Sequence, residues 1–435
     1  MRIYWICIGF IFLTGCVAHR DIEVSVPEST IGFAWAQNSI NAVIFRKNAV
    51  VSHGDHQYVA YYDADGSVIL AKRNLKDNVW QTHKTQYRGD VADAHRSISI
   101  MIDGAGYLHM SWDHHDTRLR YVRSIGPGGL ELSEEQQMVG DREEHVSYPE
   151  FYKLPDGDLF FLYRDGGSGR GDLIINRYDT ESQQWTRVQN KLIDGEEERS
   201  AYWQAAVDDD GHLHLSWVWR ETWDVSTNHD MCYAVSRDGG VSWVRSDGTA
   251  YSLPITVESA EVIMIIPQQS ELINQTSMYV SEGKPYIATY YRKSGDISPQ
   301  YYLIHQDERG WSEYRMTYRQ TPFSLSGGGT KRIPISRPQI VVDRTGQITM
   351  ISRDAEYNDQ IVITKNIDKS YHKWESNALS VGRVDSWEPC YDTELWRDRE
   401  SLHIYVQRVG QGDGETLEQM PPQPVRIIEV KNQKE

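Results

Sequence analysis

Extended runs in which apolar and polar residues interleave recur along the chain, paired across short polar turns in the pattern of a β-hairpin. The turns centre on Gly66 in QYVAYYDADGSVILAKR, Gly106 in HRSISIMIDGAGYLHMSWDHH, Gly157 in YPEFYKLPDGDLFFLYR, Gly211 in YWQAAVDDDGHLHLSWVWR, Gly283 in SMYVSEGKPYIATYYR and Gly346 in SRPQIVVDRTGQITMISR. A seventh unit, WEPCYDTELWRDRESLHIYVQR, has Asp398-Arg399 where the others have glycine. No long amphipathic helix pattern interrupts the series. Hairpins repeated over the whole length at this period point to a solenoid or a propeller.

A second signal follows most hairpins: a polar turn and then tryptophan, at Trp80, Trp185, Trp243, Trp311 and Trp374. Its fullest copy, SRDGGVSW from Ser236 to Trp243, resembles the Asp-box of sialidase-like propellers. These residue types are structural, since Asp and Ser close the turn through side-chain hydrogen bonds while Trp packs between neighbouring sheets. Two strands per hairpin and two more flanking the Trp turn make four. The expected fold is therefore all-β, a seven-bladed β-propeller with four antiparallel strands per blade, occupying residues 41–435 as one domain. Longer inserts at 251–270 and 320–335 are expected as rim loops over a binding face.

Composition adds two constraints. Tyr and Trp far outnumber Phe, which suits an all-β protein with wet surfaces, and the net charge of −17 argues against a nucleic-acid partner. An acidic exterior still allows a local basic cleft for an anionic substrate. Residues 1–16 read as an export signal: a basic second residue, a short apolar core, and Leu13-Thr14-Gly15-Cys16, which resembles the lipobox of bacterial lipoproteins. That implies lipidation at Cys16 and an exported protein anchored to the bacterial cell membrane without spanning it, followed by a linker over 17–40. The later thiols, Cys232 and Cys390, are too few for a disulfide framework.

The two open ends of an antiparallel hairpin lie side by side. That places His95, His114 and His115 of the second unit, Tyr148 and Arg164 of the third, and Tyr202 and Arg220 of the fourth on one face. Asn274 and Arg292, Arg337 and Arg353, and Trp387 and Arg408 follow from the later units. Such a ring of cations and aromatics suits a carboxylated or sulfated sugar; for any single arginine a salt bridge to a neighbouring Asp is the better explanation, and it is the recurrence on one face that favours substrate binding. His229 and Cys232, with His212 and His214 on the preceding strand, are zinc-compatible donors, so a structural zinc or calcium ion is an option alongside a site needing no cofactor.

His95 and His115 around the second hairpin, SYP-x-F…DGDL-x-F-x-YR from Ser147 to Arg164, GGSGRGD from Gly166 to Asp172 and NHDMCYAVSRDGGVSW from Asn228 to Trp243 together resemble the seven-bladed propeller ulvan lyases of the BNR-repeat group. The resemblance implies β-elimination beside a uronic acid in a sulfated polysaccharide, by a protein taken as a monomer. Arg164 would neutralise the carboxylate, and Tyr148, with its backbone held extended by Pro149 and His95 as partner, would transfer the proton. His115 would orient substrate or share the acid/base work, with His114, Tyr202, Arg220, Arg292 and Arg353 binding substrate. A sialidase-like hydrolase and a non-catalytic sugar-binding propeller are the alternatives.

Overall fold

The computed structural model describes residues 27–44 and 48–430. The leader and Cys16 lie outside the described residues. The fold is all-β, with strands joined mainly as antiparallel meanders in chain order, and no helix among the described residues is long and apolar enough to cross a membrane. The first sheet comprises Val50–His53, His56–Tyr62, Ser67–Asn74 and Gln81–Arg88, and the second Ile98–Ile102, Leu108–Trp112 and Tyr121–Arg123. Two further meanders, one starting at Val146–Lys153 and the other at Ser200–Val207, fuse into a nine-stranded sheet through the single parallel pair Gly171 and Ser200. Two four-stranded sheets begin at Ser277–Ser281 and Gln339–Val342. In the last sheet Cys390–Tyr391, Leu402–Val406 and Gln423–Val430 are completed by Glu28–Ala34.

Sheet depth is written in burial. Ile98–Ile102, Leu108–Trp112 and Leu213–Arg220 are buried at every position, as strands covered on both faces must be, whereas the outer strand Gln81–Arg88 is exposed at alternate places. The leading strands neighbour one another in succession, from Val50–His53 through Ile98–Ile102, Val146–Lys153, Ser200–Val207 and Ser277–Ser281 to Gln339–Val342. Tryptophans fill the spaces between sheets. Trp185 packs against Tyr121, Phe151, Phe161 and Tyr178, and Trp243 is buried with its indole N–H donated to Gly240 O. The Asp-box closes as its residue types demand: Gly240 N donates to Ser236 Oγ, and the Ser242 amide and hydroxyl both donate to Asp238.

Four expectations need correction. The first repeat begins one strand earlier than its pattern predicts: the turn equivalent to the other glycine turns is at Gly54, between Val50–His53 and His56–Tyr62, while Gly66 joins the second and third strands. The seventh unit has no tight turn at Asp398-Arg399. Asp392 caps a helix, Thr393–Arg399: the Asp392 side chain accepts from Leu395 N, and Glu400 in the left-handed region marks the helix end. The linker assigned to 17–40 contains the strand Glu28–Ala34, so the folded unit starts before residue 41. The insert at 251–270 supplies an outer strand, Glu261–Met264, and Ile255 bridges to Ile193; it does not form a rim loop.

Candidate active site

One cleft of about 180 Å³ collects His95, His115, Tyr148, Tyr202, Arg220 and Lys331. Tyr148 reaches it because Val146–Lys153 carries a β-bulge between Ser147 and Glu150, where Tyr148 has φ +55°. Pro149 therefore does not hold Tyr148 extended. A non-glycine residue in the left-handed region inside a strand is strained, and a bulge of this kind re-aims a side chain. On the adjoining meander Tyr202 and Arg220 come from antiparallel neighbours in Ser200–Val207 and Leu213–Arg220, whose register pairs Ser200 with Arg220. The 320–335 insert does reach the rim, contributing Gly328, Gly329, Thr330 and Lys331.

Asp93 organises the imidazoles. Its two carboxylate oxygens meet His95 Nδ1 at 2.8 Å and His115 Nδ1 at 2.6 Å, and the rings stack with centroids 4.2 Å apart. Glu415 adds a second carboxylate 3.1 Å from His95 Nδ1. Burial opposes charge on His95, but the hydrogen bonds to Asp93 and Glu415 and their charges outweigh it and lift the imidazole to about 9. Burial likewise works against both carboxylates, yet the imidazoles hold Asp93 far below its ordinary range and His95 brings Glu415 down to about 2. His115 is pushed down by burial, with Asp93 only partly opposing. Near neutral pH the site thus holds an imidazolium at His95 and a neutral ring at His115.

The phenols face two guanidinium groups. Arg164 stands 4.8 Å from the centre of the Tyr148 ring and 6.0 Å from that of Tyr202, while Arg220 stands 5.3 Å from the Tyr202 ring. Tyr202 OH is within 3.5 Å of Arg164 Nη1, 3.4 Å of Arg220 Nη1 and 3.1 Å of Ser168 Oγ. Burial favours its neutral form, but the charges of Arg220 and Arg164 prevail and bring the phenol down to about 8. Tyr148 goes the other way: burial and the charge of Tyr202 raise it, with Arg164 opposing. The acidified phenol is Tyr202, whereas the sequence directed attention to Tyr148.

Other predicted residues lie elsewhere. Arg164 is buried beneath the phenols, held by Gly166 O and Ser147 Oγ, so it acts on the cleft from below and does not clamp an anion inside it. His114 faces away from the cleft, its ring held by Thr117 and the Arg120 backbone, and burial pushes it down to about 3. Arg292 is paired with Glu271, and Arg353 with the Ile333 carbonyl and Asp359, and neither lines the cleft. His229 sits between Glu221 and Asp230, while Cys232 is buried in the apolar core; the two share no ligand cluster among the described residues. Cys232 and Cys390 are both buried, lie in different sheets and are not bridged to each other. Sequence reasoning missed Asp93 and Glu415. The Asp-x-His spacing before His95 could have raised the first; nothing local marks the second.

A second cavity, of about 110 Å³, lies at the other end of the same leading strands and contains no histidine. Its Arg397 is tied to Glu394 and to the Lys153 carbonyl.

A family model described as BNR repeat-containing family member matches residues 56–319. The ulvan lyase, long isoform, of Alteromonas sp. (strain LOR) is 23% identical over 336 residues, covering 62% of this chain and 33% of its own length. The chain thus spans about a third of that relative. A solved ulvan lyase of polysaccharide lyase family PL25 superposes with a TM-score of 0.70 at 15% identity, covering 92% of this chain and 96% of the other. The PL25 ulvan lyase bound to -[GlcA(1-4)Rha3S]- gives 0.67 at 14% identity, with the same coverage. At those identities the structural likeness is one of fold.

Proposed function

The chain belongs to the BNR repeat-containing family, and from that premise we propose that it is a polysaccharide lyase that cuts ulvan, a sulfated polysaccharide containing uronic acid, by β-elimination. The observation that carries this reading is an acidified phenol, Tyr202, beside an imidazolium, His95, at one cleft. The C5 proton of a uronate becomes removable once its carboxylate charge is neutralised. His95, Arg220 and Lys331 supply that positive charge in the cleft. Tyr202 as phenolate takes the C5 proton, the C–H electrons form the C4=C5 double bond, and the bond to O4 breaks. Tyr148, kept protonated, gives its proton to the departing O4. His115 orients the sugar as a neutral hydrogen-bonding ring, and Arg164 lowers the pKa of Tyr202 from beneath.

Hydrolysis fits this site poorly. A glycosidase needs a carboxylic acid that is protonated at working pH, and both carboxylates here, Asp93 and Glu415, are held well below the ordinary range by imidazoles. The architecture is inferred with the function. Seven consecutive meanders, leading strands side by side in chain order and a last sheet completed by Glu28–Ala34 support seven blades around one axis.

The test is incubation with ulvan while following the ultraviolet absorbance of an unsaturated uronate. Tyr202→Phe and Tyr148→Phe are each expected to lower the rate by about 10²- to 10⁴-fold, the usual worth of positioned acid/base groups. Full activity in both variants contradicts the site.

A further inference from the structure

Asp208, His212 and His214 form a cluster at the far end of the strand that carries Arg220, about 20 Å away at 3.3 Å per residue. Asp208 Oδ2 is 3.0 Å from His212 Nδ1 and 3.1 Å from His214 Nε2, and the three donors lie within 4.8 Å of one another. Ligand bonds of about 2.0–2.1 Å in a tetrahedral zinc site place neighbouring donors about 3.3 Å apart, so two of the three edges already have nearly the right length. The other Asp208 oxygen accepts from the Asp210 and His212 amides, which fixes the carboxylate. Tyr233 OH lies 2.6 Å from His214 Nδ1, the outer contact that orients a metal-binding imidazole.

The second repeat provides an internal comparison. There Asp103 Oδ2 is 3.1 Å from His109 Nε2, His109 Nδ1 is 2.7 Å from Tyr121 OH, and Asp103 Oδ1 accepts from the Ala105 and Tyr107 amides. The Asp, His and Tyr set is therefore a device for holding the turn, present in both repeats. What differs is the residue after the turn glycine: Tyr107 in one repeat and His212 in the other. The fourth repeat thus has a third donor where the second has only two. We propose that Asp208, His212 and His214 bind one Zn²⁺, with the fourth position left to water on the side of the partly exposed His212. The ion replaces the two Asp–His hydrogen bonds and ties the turn to the strand.

Calorimetric titration of the chelator-stripped full chain with ZnCl₂, with elemental analysis of bound zinc, tests this. One equivalent is expected in the wild type and in His115→Gln, and none in His212→Tyr, which copies the residue that the second repeat folds with. His212→Gln is a second, smaller change with the same expected loss. Tyr233→Phe is expected to weaken binding about 10- to 100-fold, as loss of an outer contact does. A zinc-dependent rise in the unfolding midpoint should follow the same pattern. No zinc on the wild type, unchanged binding in both His212 variants, or loss of binding in His115→Gln, which would put the ion in the cleft, overturns the proposal.

Discussion

Tyr202 and His95 titrate from opposite starting points, and their pKa values set the pH dependence. In the proposed elimination the base works deprotonated and the neutralising imidazolium works protonated. The kcat/KM profile should therefore rise as Tyr202 ionises through about 8 and fall as His95 discharges through about 9. Arg220→Ala should move the rising limb to higher pH, because the largest charge lowering Tyr202 is gone. The raised pKa of His95 also bears on stability. Its contribution is fully present below the unfolded value of 6.5 and is lost as pH rises through about 9, which denaturant titrations across that window will register. Gly171 is a further lever. A Cβ there would stand 2.6 Å from Arg164 Cδ, so Gly171→Ala should displace Arg164 and slow turnover while the sheet persists. His95, His115, Tyr148, Tyr202 and Arg220 were legible as a group because hairpin ends share a face. Which phenol is acidified was not legible, because that depends on two guanidinium groups meeting Tyr202 through strand register. His114 was not separable from His115 in the sequence, because it falls between the strands Leu108–Trp112 and His115–Thr117 and its ring is turned by contacts to Thr117 and the Arg120 backbone.

At the scale of the element, the Trp turn holds the sheets together. Trp243→Ala should cost about 3–5 kcal/mol in chemical denaturation, the usual loss for a buried tryptophan, with the activity of the remaining folded protein little changed because the residue is remote from the cleft. Glycine-centred hairpins and Trp turns were legible because each depends on a few adjacent residues with fixed backbone or hydrogen-bond demands. The misplaced elements lacked such marks. Gly54 sits in a two-residue turn followed by a second glycine turn of the same appearance, and the periodicity of the chain does not say which comes first. The helix Thr393–Arg399 occupies a place where six other units have a tight turn, and only its Asp392 cap distinguishes it. Glu261–Met264 lies inside a long insert, so its pairing with Asn228–Ser236 has no local signature.

At the scale of the whole molecule, the first and last described strands share one sheet. Glu28–Ala34 pairs along Gln423–Val430, and Glu415, just ahead of that last strand, pairs with His95 in the cleft. Deleting residues through Ala34 would bare the edge of Gln423–Val430, and a lowered unfolding midpoint with aggregation is expected on heating. Long-range pairing of this kind leaves no trace in local pattern, and for that reason the segment before residue 41 reads as a linker in the sequence. The central claim is that this assembled cleft performs an elimination with Tyr202 as base. The most direct measurement is the mass of the new non-reducing ends released from ulvan. Ends one water lighter than hydrolysis would leave, produced by the wild type and lost in Tyr202→Phe, are the predicted result; fully hydrated ends, or light ends formed equally well by the variant, would contradict it.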